Sequence, residues 1–201
     1  MSVISHDSKF TFISNARTGS TSMMDMLDKA TQGHNRHYEG LGALPFEYHM
    51  GIQKTIELHP ESKDYFKFCF CRNPWSRFLS SYREFRNHWH LPWSADVFRF
   101  DSFDLFCHAY KDLKIQEDIH FLPITDQISI DGRISMDYIA RFEDYENEVK
   151  STFEMINLPC PQLMHYRSTQ GASYREMFDD ETRKVVASFY EADIDNFKYT
   201  F

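Results

Sequence analysis

Two hydrophobic patterns take turns along this chain: short solid apolar runs, and apolar stripes at helical spacing. Phe10-Thr11-Phe12-Ile13 is a run of the first kind and predicts a short β-strand. Residues 14–20 are small and polar, and Met23, Met24, Met26 and Leu27 then recur at helical spacing. A second run, Tyr65 to Cys71, is apolar enough to be a strand buried on both faces. It stops at Arg72-Asn73-Pro74, where Pro74 suits the first turn of a helix. Phe78, Leu79, Tyr82 and Phe85 make the stripe of that helix. Further on, Ser102 predicts the cap of a helix carrying Phe103, Phe106, Tyr110 and Leu113. Residues 136–142 predict a third strand, and Glu143 and Asp144 open a helix to Ile156. Asp179-Asp180-Glu181 begins the last helix, whose stripe is Val185, Val186, Phe189, Tyr190 and Ile194.

Strands separated by helices predict an α/β fold with a central parallel sheet flanked by helices. In such sheets, anions bind where a strand turns into a helix, because the helix start offers unpaired N–H groups and a positive dipole end. No linker or repeat divides the 201 residues, so a single domain over 1–201 is expected. That length buries roughly 70% of the unfolded surface. No apolar run of about 18 residues predicts a membrane span. Met1 to Lys9 is a polar lead-in with no signal-peptide core. Cys69, Cys71, Cys107 and Cys160 form no CxxC pair and suggest reduced thiols in a cytoplasmic setting.

Charge narrows the choice of partner. Lys and Arg number 22 and Asp and Glu 30, a net of −8, which argues against nucleic acid as a partner. The cations are clustered, however. Lys63, Lys67, Arg72, Arg77, Arg83 and Arg86 stand against only Asp64 and Glu84 between residues 63 and 90. An acidic chain with one basic segment points to a focused anion site.

The first polar loop reads Asn15-Ala16-Arg17-Thr18-Gly19-Ser20-Thr21-Ser22. It supplies a cation, a glycine that lets the backbone come close, and hydroxyls at a helix start. That is a phosphate cradle without Walker spacing, and plain helix capping would use similar residues. In the second unit Arg72 closes the strand and Ser80 follows eight residues later. An arginine fork with a hydroxyl suits a phosphate monoester, and Arg77 stands one turn before Ser80. A solvated basic helix face would look much the same.

These segments resemble the sulfotransferases that use 3′-phosphoadenosine 5′-phosphosulfate (PAPS). Arg17-Thr18-Gly19-Ser20-Thr21-Ser22 after Phe12-Ile13 looks like their 5′-phosphosulfate loop. Arg72-Asn73-Pro74-Trp75-Ser76-Arg77-Phe78-Leu79-Ser80-Ser81-Tyr82 looks like their 3′-phosphate motif. Tyr138 to Glu143 and Tyr190 to Tyr199 are similar to two further family segments, made mostly of packing positions. The likeness is nearest to carbohydrate sulfotransferases and their soluble bacterial-type relatives, and it is thin between Asn87 and Ile115.

The resemblance implies a P-loop-like sulfotransferase fold. It also implies transfer of a sulfuryl group from PAPS to a hydroxyl or amine, with release of the bisphosphate PAP and no metal. Arg17, Thr18, Gly19, Ser20, Thr21, Ser22, Arg72 and Ser80 would hold the donor, and Arg167 and Gly171 would belong to the loop over the adenosine. Many relatives carry lysine where this chain has Arg17, and arginine stabilises charge but gives up no proton near neutrality. His49, before the 3′-phosphate strand, and His120, in His120-Phe121-Leu122-Pro123, are the two expected candidates for the general base. His34 with His37, and His88 with His90, have metal-like spacing but lack Cys or carboxylate partners in pattern, so no metal site is expected.

Two other function classes compete. A P-loop-like nucleotide kinase or NTPase would need magnesium and a Walker lysine. A non-catalytic PAP-binding protein would bind PAP without turnover. The residues leave the acceptor open. Trp89, Trp93, Phe98 and Phe100, beside His88 and His90, suggest a small or saccharide acceptor under the 85–100 segment and beside His49.

Overall fold

The computed structural model describes residues 2–33, 36–38, 51–91, 93–163 and 172–201. In chain order the strands are β1 (Ser2–Ser5), β2 (Phe10–Ile13), β3 (Arg36–Tyr38), β4 (Phe66–Cys71), β5 (Ser129–Ile130), β6 (Arg133–Ile134) and β7 (Tyr138–Arg141). The helices are α1 (Ser20–Ala30), α2 (Ile52–Leu58), α3 (Pro74–Asn87), α4 (Ser94–Phe98), α5 (Phe103–Ala109), α6 (Ile124–Gln127), α7 (Tyr145–Met155), α8 (Tyr174–Met177), α9 (Asp180–Phe189) and α10 (Glu191–Phe197). They form two compact units, residues 1–72 with 124–167, and residues 73–123 with 168–201.

The first unit is an α/β sheet in the order β3-β1-β2-β4-β7. Its centre is parallel, with Phe12 opposite Phe68 and Cys71 opposite Arg141. The expected strand–loop–helix units lie on this parallel part. β1 joins β2 and β3 in antiparallel pairing, which makes the whole sheet mixed. The polar lead-in expected at the N-terminus is therefore a strand in part, with Ser2 to Ser5 all buried. Two apolar residues between serines carry no readable period, and pairing with neighbouring strands decides the outcome. On one face Phe10, Phe12, Phe68 and Phe70 pack against Met23, Met26 and Leu27 of α1 and Val149 and Phe153 of α7. On the other face Thr55 of α2 meets β1, where its Oγ1 donates to Ser2 Oγ at 3.3 Å.

The second unit is helical. Asn73 caps α3, its side chain accepting from the Ser76 N–H, and Pro74 occupies the first turn. Ser102 caps α5 as expected, but that helix ends at Ala109, and Tyr110 begins a short 3-10 turn. The expected last helix is two helices. Tyr190 lies at their junction, where its buried hydroxyl donates to the Phe121 carbonyl at 2.6 Å. Phe78, Phe106, Tyr110, Phe121 and Tyr190 fill the core with mostly edge-on rings.

Candidate active-site residues

In the first unit the loop after β2 is held from below. Asn15 is buried and its Nδ2 donates to the Phe70 carbonyl at 3.0 Å, tying the end of β2 to β4. The buried Thr18 hydroxyl donates to the Asn15 carbonyl at 2.8 Å, so that side chain closes the loop on itself. Arg17 and Gly19 on either side of Thr18 have left-handed backbones, with φ of 65° and 77°. For arginine this is an uncommon conformation, held here by the surrounding bonds.

Gly19 is also the residue before α1. It brings no capping side chain, and the first turn of α1 contains no acid. The first turn of α3 is likewise free of acids, whereas α7 and α9 each start with two. A helix start left positive by its own sequence is the arrangement that suits an anion. Ser20 and Ser22 are buried there and Thr21 is exposed. A β-carbon on Gly19 would lie 2.7 Å from Cε2 of Tyr145 and 3.1 Å from Cε2 of Phe142. Tyr145 also donates its hydroxyl to the Gly19 carbonyl at 3.1 Å. Burial pushes the Tyr145 phenol far above its ordinary range, so it stays a donor.

Arg72 leaves the end of β4 and meets the same loop. Its Nη1 donates to the Arg17 carbonyl at 2.9 Å, and its guanidinium lies 4.4 Å over the Phe142 ring. The structure thus brings Arg72 against the loop that holds Arg17 and Gly19. It adds Asn15, Phe142 and Tyr145 as the residues that shape the loop. Phe142 and Tyr145 carry no chemical signal in a sequence, since aromatics after a strand read as core.

In the second unit Ser80 is buried on α3. Arg77, one turn earlier, is 0% exposed; its guanidinium stands 6.0 Å from the Tyr190 ring and Nη2 reaches the Ile119 carbonyl at 3.5 Å. It is therefore a packed interior cation rather than part of a solvated basic face. Ser81 donates to the His120 carbonyl at 2.7 Å. His120 Nδ1 lies 2.7 Å from Asp118 Oδ1, and the same oxygen accepts from the His120 main-chain N–H at 2.9 Å. The Phe85 ring meets the imidazole edge-on with centroids 5.5 Å apart. Asp118 stands two residues before His120, so a carboxylate-x-His pattern was there to be found.

His49, Arg167 and Gly171 lie outside the described residues, as does His34. His88 Nδ1 is bonded to the Glu84 carbonyl at 2.9 Å, which ties it to the end of α3. Among the described residues no group of three or more His, Cys, Asp or Glu is arranged to hold a metal. Among them, too, no helix is long and apolar enough to cross a membrane. Of the aromatics in the 85–100 segment, Phe85 and Phe100 pack in the core, while Trp89, Trp93 and Phe98 are exposed.

Comparison with known proteins adds one positive result. Residues 2–200 match the model described as the sulfotransferase family. No curated protein and no solved structure matches the chain.

Proposed function

Because the chain belongs to the sulfotransferase family, we propose that it moves a sulfuryl group from PAPS to a hydroxyl or amine of a small or saccharide acceptor and releases PAP. The observation that carries this reading is the bond from Arg72 to the Arg17 carbonyl beside Gly19. It couples the two motifs whose likeness to the family is strongest. The family match over residues 2–200 supports reading the chain as a single sulfotransferase domain.

In this reading Arg17 and the main-chain N–H groups from Thr18 to Ser22 take the 5′-phosphosulfate, and Arg72 and Ser80 take the 3′-phosphate. The acceptor oxygen or nitrogen attacks sulfur in line with the bond to the 5′-phosphate oxygen. That bond breaks as the new one forms, and the acceptor's proton passes to a histidine. Negative charge grows on the departing phosphate, and Arg17 stabilises it without giving a proton. His49 and His120 are the two histidines of this reading, and the carboxylate behind the His120 ring supports that residue. Arg167 and Gly171 are assigned to the adenosine loop by resemblance. The thiols, three buried and one exposed, are consistent with a cytoplasmic setting.

A net charge of −8 disfavours a long polyanionic glycan as acceptor, because each anion would need a nearby cation. Trp89 and Trp93 offer exposed aromatic faces of the kind that sugar rings and small cyclic ligands use.

Mass spectrometry of an acceptor library incubated with PAPS tests the function. The expected result is a gain of about 80 Da, as for transfer of one sulfuryl group, with PAPS, none with ATP, and persistence in EDTA. A gain seen only with ATP and magnesium would assign a kinase. PAP binding with no gain on any hydroxyl or amine would assign a binding protein.

A further inference from the structure

We infer that Asp118 is a positioning residue that decides which nitrogen of His120 receives the acceptor's proton. The inference rests on the histidine-base reading above and deepens it.

A carboxylate accepts hydrogen bonds and does not donate them when ionised. The 2.7 Å contact between Asp118 Oδ1 and His120 Nδ1 therefore requires the proton on Nδ1. In the neutral ring that leaves the lone pair on Nε2. The tautomer is thus fixed by the partner of the other nitrogen, as in carboxylate–histidine pairs generally. Asp118 is suited to the task because its side chain is only 9% exposed, so water competes little for the bond, while the imidazole is 26% exposed. The carboxylate that holds Nδ1 is thus the more buried of the two partners.

A simpler account is an Asx turn, in which an aspartate side chain accepts the N–H two residues on. That bond is present, at 2.9 Å. An Asx turn needs nothing from the ring, however, and here the same Oδ1 takes the ring nitrogen at a shorter distance. Three further contacts hold the pair from other directions, two on His120 and one on Asp118. Ser81 fixes the His120 carbonyl from α3, Phe85 meets the ring edge-on from the same helix, and the Phe121 N–H bonds the Asp118 carbonyl at 2.8 Å. His120 is thereby fixed at its N–H, its carbonyl, its Nδ1 and its ring face. Such restraint is what a proton acceptor needs, because a small displacement of the accepting atom lowers the rate steeply. Ser81 adjoins Ser80, so α3 carries both the residue assigned to the 3′-phosphate and the anchor of the base.

The test uses the full chain with ¹⁵N-labelled histidine, at a pH well above the ordinary histidine range. His120 is identified by the signal missing from His120→Gln. Wild type is expected to show the Nδ1–H tautomer. Asp118→Ala removes the oxygen that both bonds share, so the tautomer should shift toward Nε2–H. Turnover is then measured with PAPS and the acceptor returned by the mass-shift screen. In Asp118→Ala, kcat should fall roughly 10- to 100-fold, the size usual for an outer partner of a working histidine. The KM for PAPS and the affinity for PAP should stay within about twofold, since binding alone is not altered. Asp118→Asn keeps an oxygen that can accept from both nitrogens, so it should keep the Nδ1–H tautomer and most of kcat, which a loss through packing alone would not require. An unchanged tautomer in Asp118→Ala, or full turnover in that variant while His120→Gln is inactive, would overturn the inference alone. Full turnover in His120→Gln would remove the base reading on which it rests.

Discussion

Arg72 donates through Nη1 to the main-chain carbonyl of Arg17, across 55 residues of sequence. The bond uses one of the five guanidinium N–H donors. It also makes the residue that ends β4 a support of the loop that ends β2.

Replacing Arg72 should therefore weaken more than one function. Arg72→Ala should reduce PAP affinity by about 1.5–3 kcal/mol, the value of a charge-assisted bond, or roughly 10- to 100-fold. Arg72→Lys should recover only part of this, since a lysine keeps the charge and loses the planar fork. Calorimetry with PAP checks both, and unchanged affinity in Arg72→Ala would remove the 3′-phosphate assignment.

Gly19 meets two separate demands, and another glycine separates them. Gly19→Ala must adopt φ of 77° and place a β-carbon 2.7 Å from the Tyr145 ring. Gly33→Ala meets the same φ of 77° with nothing among the described residues within 4 Å. The left-handed backbone costs each variant about 1–2 kcal/mol. Crowding against Tyr145 should add about 1–3 kcal/mol for Gly19→Ala alone. Urea unfolding of the two variants measures the difference, and equal midpoints would mean that the ring gives way freely.

Arg17 has a strained backbone, which allows stability and rate to be separated. Arg17→Gly should fold at least as well as wild type, because glycine takes φ of 65° without penalty. Its kcat should nonetheless fall about 100-fold or more, as for other lost charge stabilisation. A variant with normal kcat and only a raised KM for PAPS would make Arg17 a binding residue.

The cap of α9 carries a pH dependence. Hydrogen bonds from the Thr182 side chain and then its main-chain N–H hold the Asp179 carboxyl below its ordinary value of 3.8. A depressed folded value means that the contribution is complete above the unfolded value and is lost as pH falls through the folded one. Wild type should thus lose stability relative to Asp179→Asn, which still caps but does not titrate, as pH drops below 3.8. Urea midpoints measured across that range give the comparison, and parallel curves would contradict the assignment.

Salt separates the acceptor classes. A small neutral acceptor should keep a nearly constant KM as ionic strength rises, whereas a polyanionic glycan should show a steep climb. Efficient turnover of a long sulfated chain at physiological salt would reverse the choice argued from the net charge.

The candidate site residues were legible because the signals that mark them are local. Arg17, Gly19 and Arg72 stand where a strand gives way to a helix, and that position follows from apolar runs and breakers alone. The parallel strands and the starts of α1, α3, α5, α7 and α9 follow from the same short-range rules, including the cap at Ser102 and the acids that open α9. Tertiary structure decided what depends on partners distant in sequence. β1 is a strand because β2 and β3 flank it, and the expected last helix is interrupted at Tyr190, the residue whose hydroxyl bonds Phe121. Arg77 is polar in sequence and buried in fact, with the Tyr190 ring and the Ile119 carbonyl beside its guanidinium inside the helical unit. Local patterning determines where a cation or a turn stands along the chain. Whether that side chain ends in solvent, in a core or behind an imidazole depends on surfaces that only folding brings together.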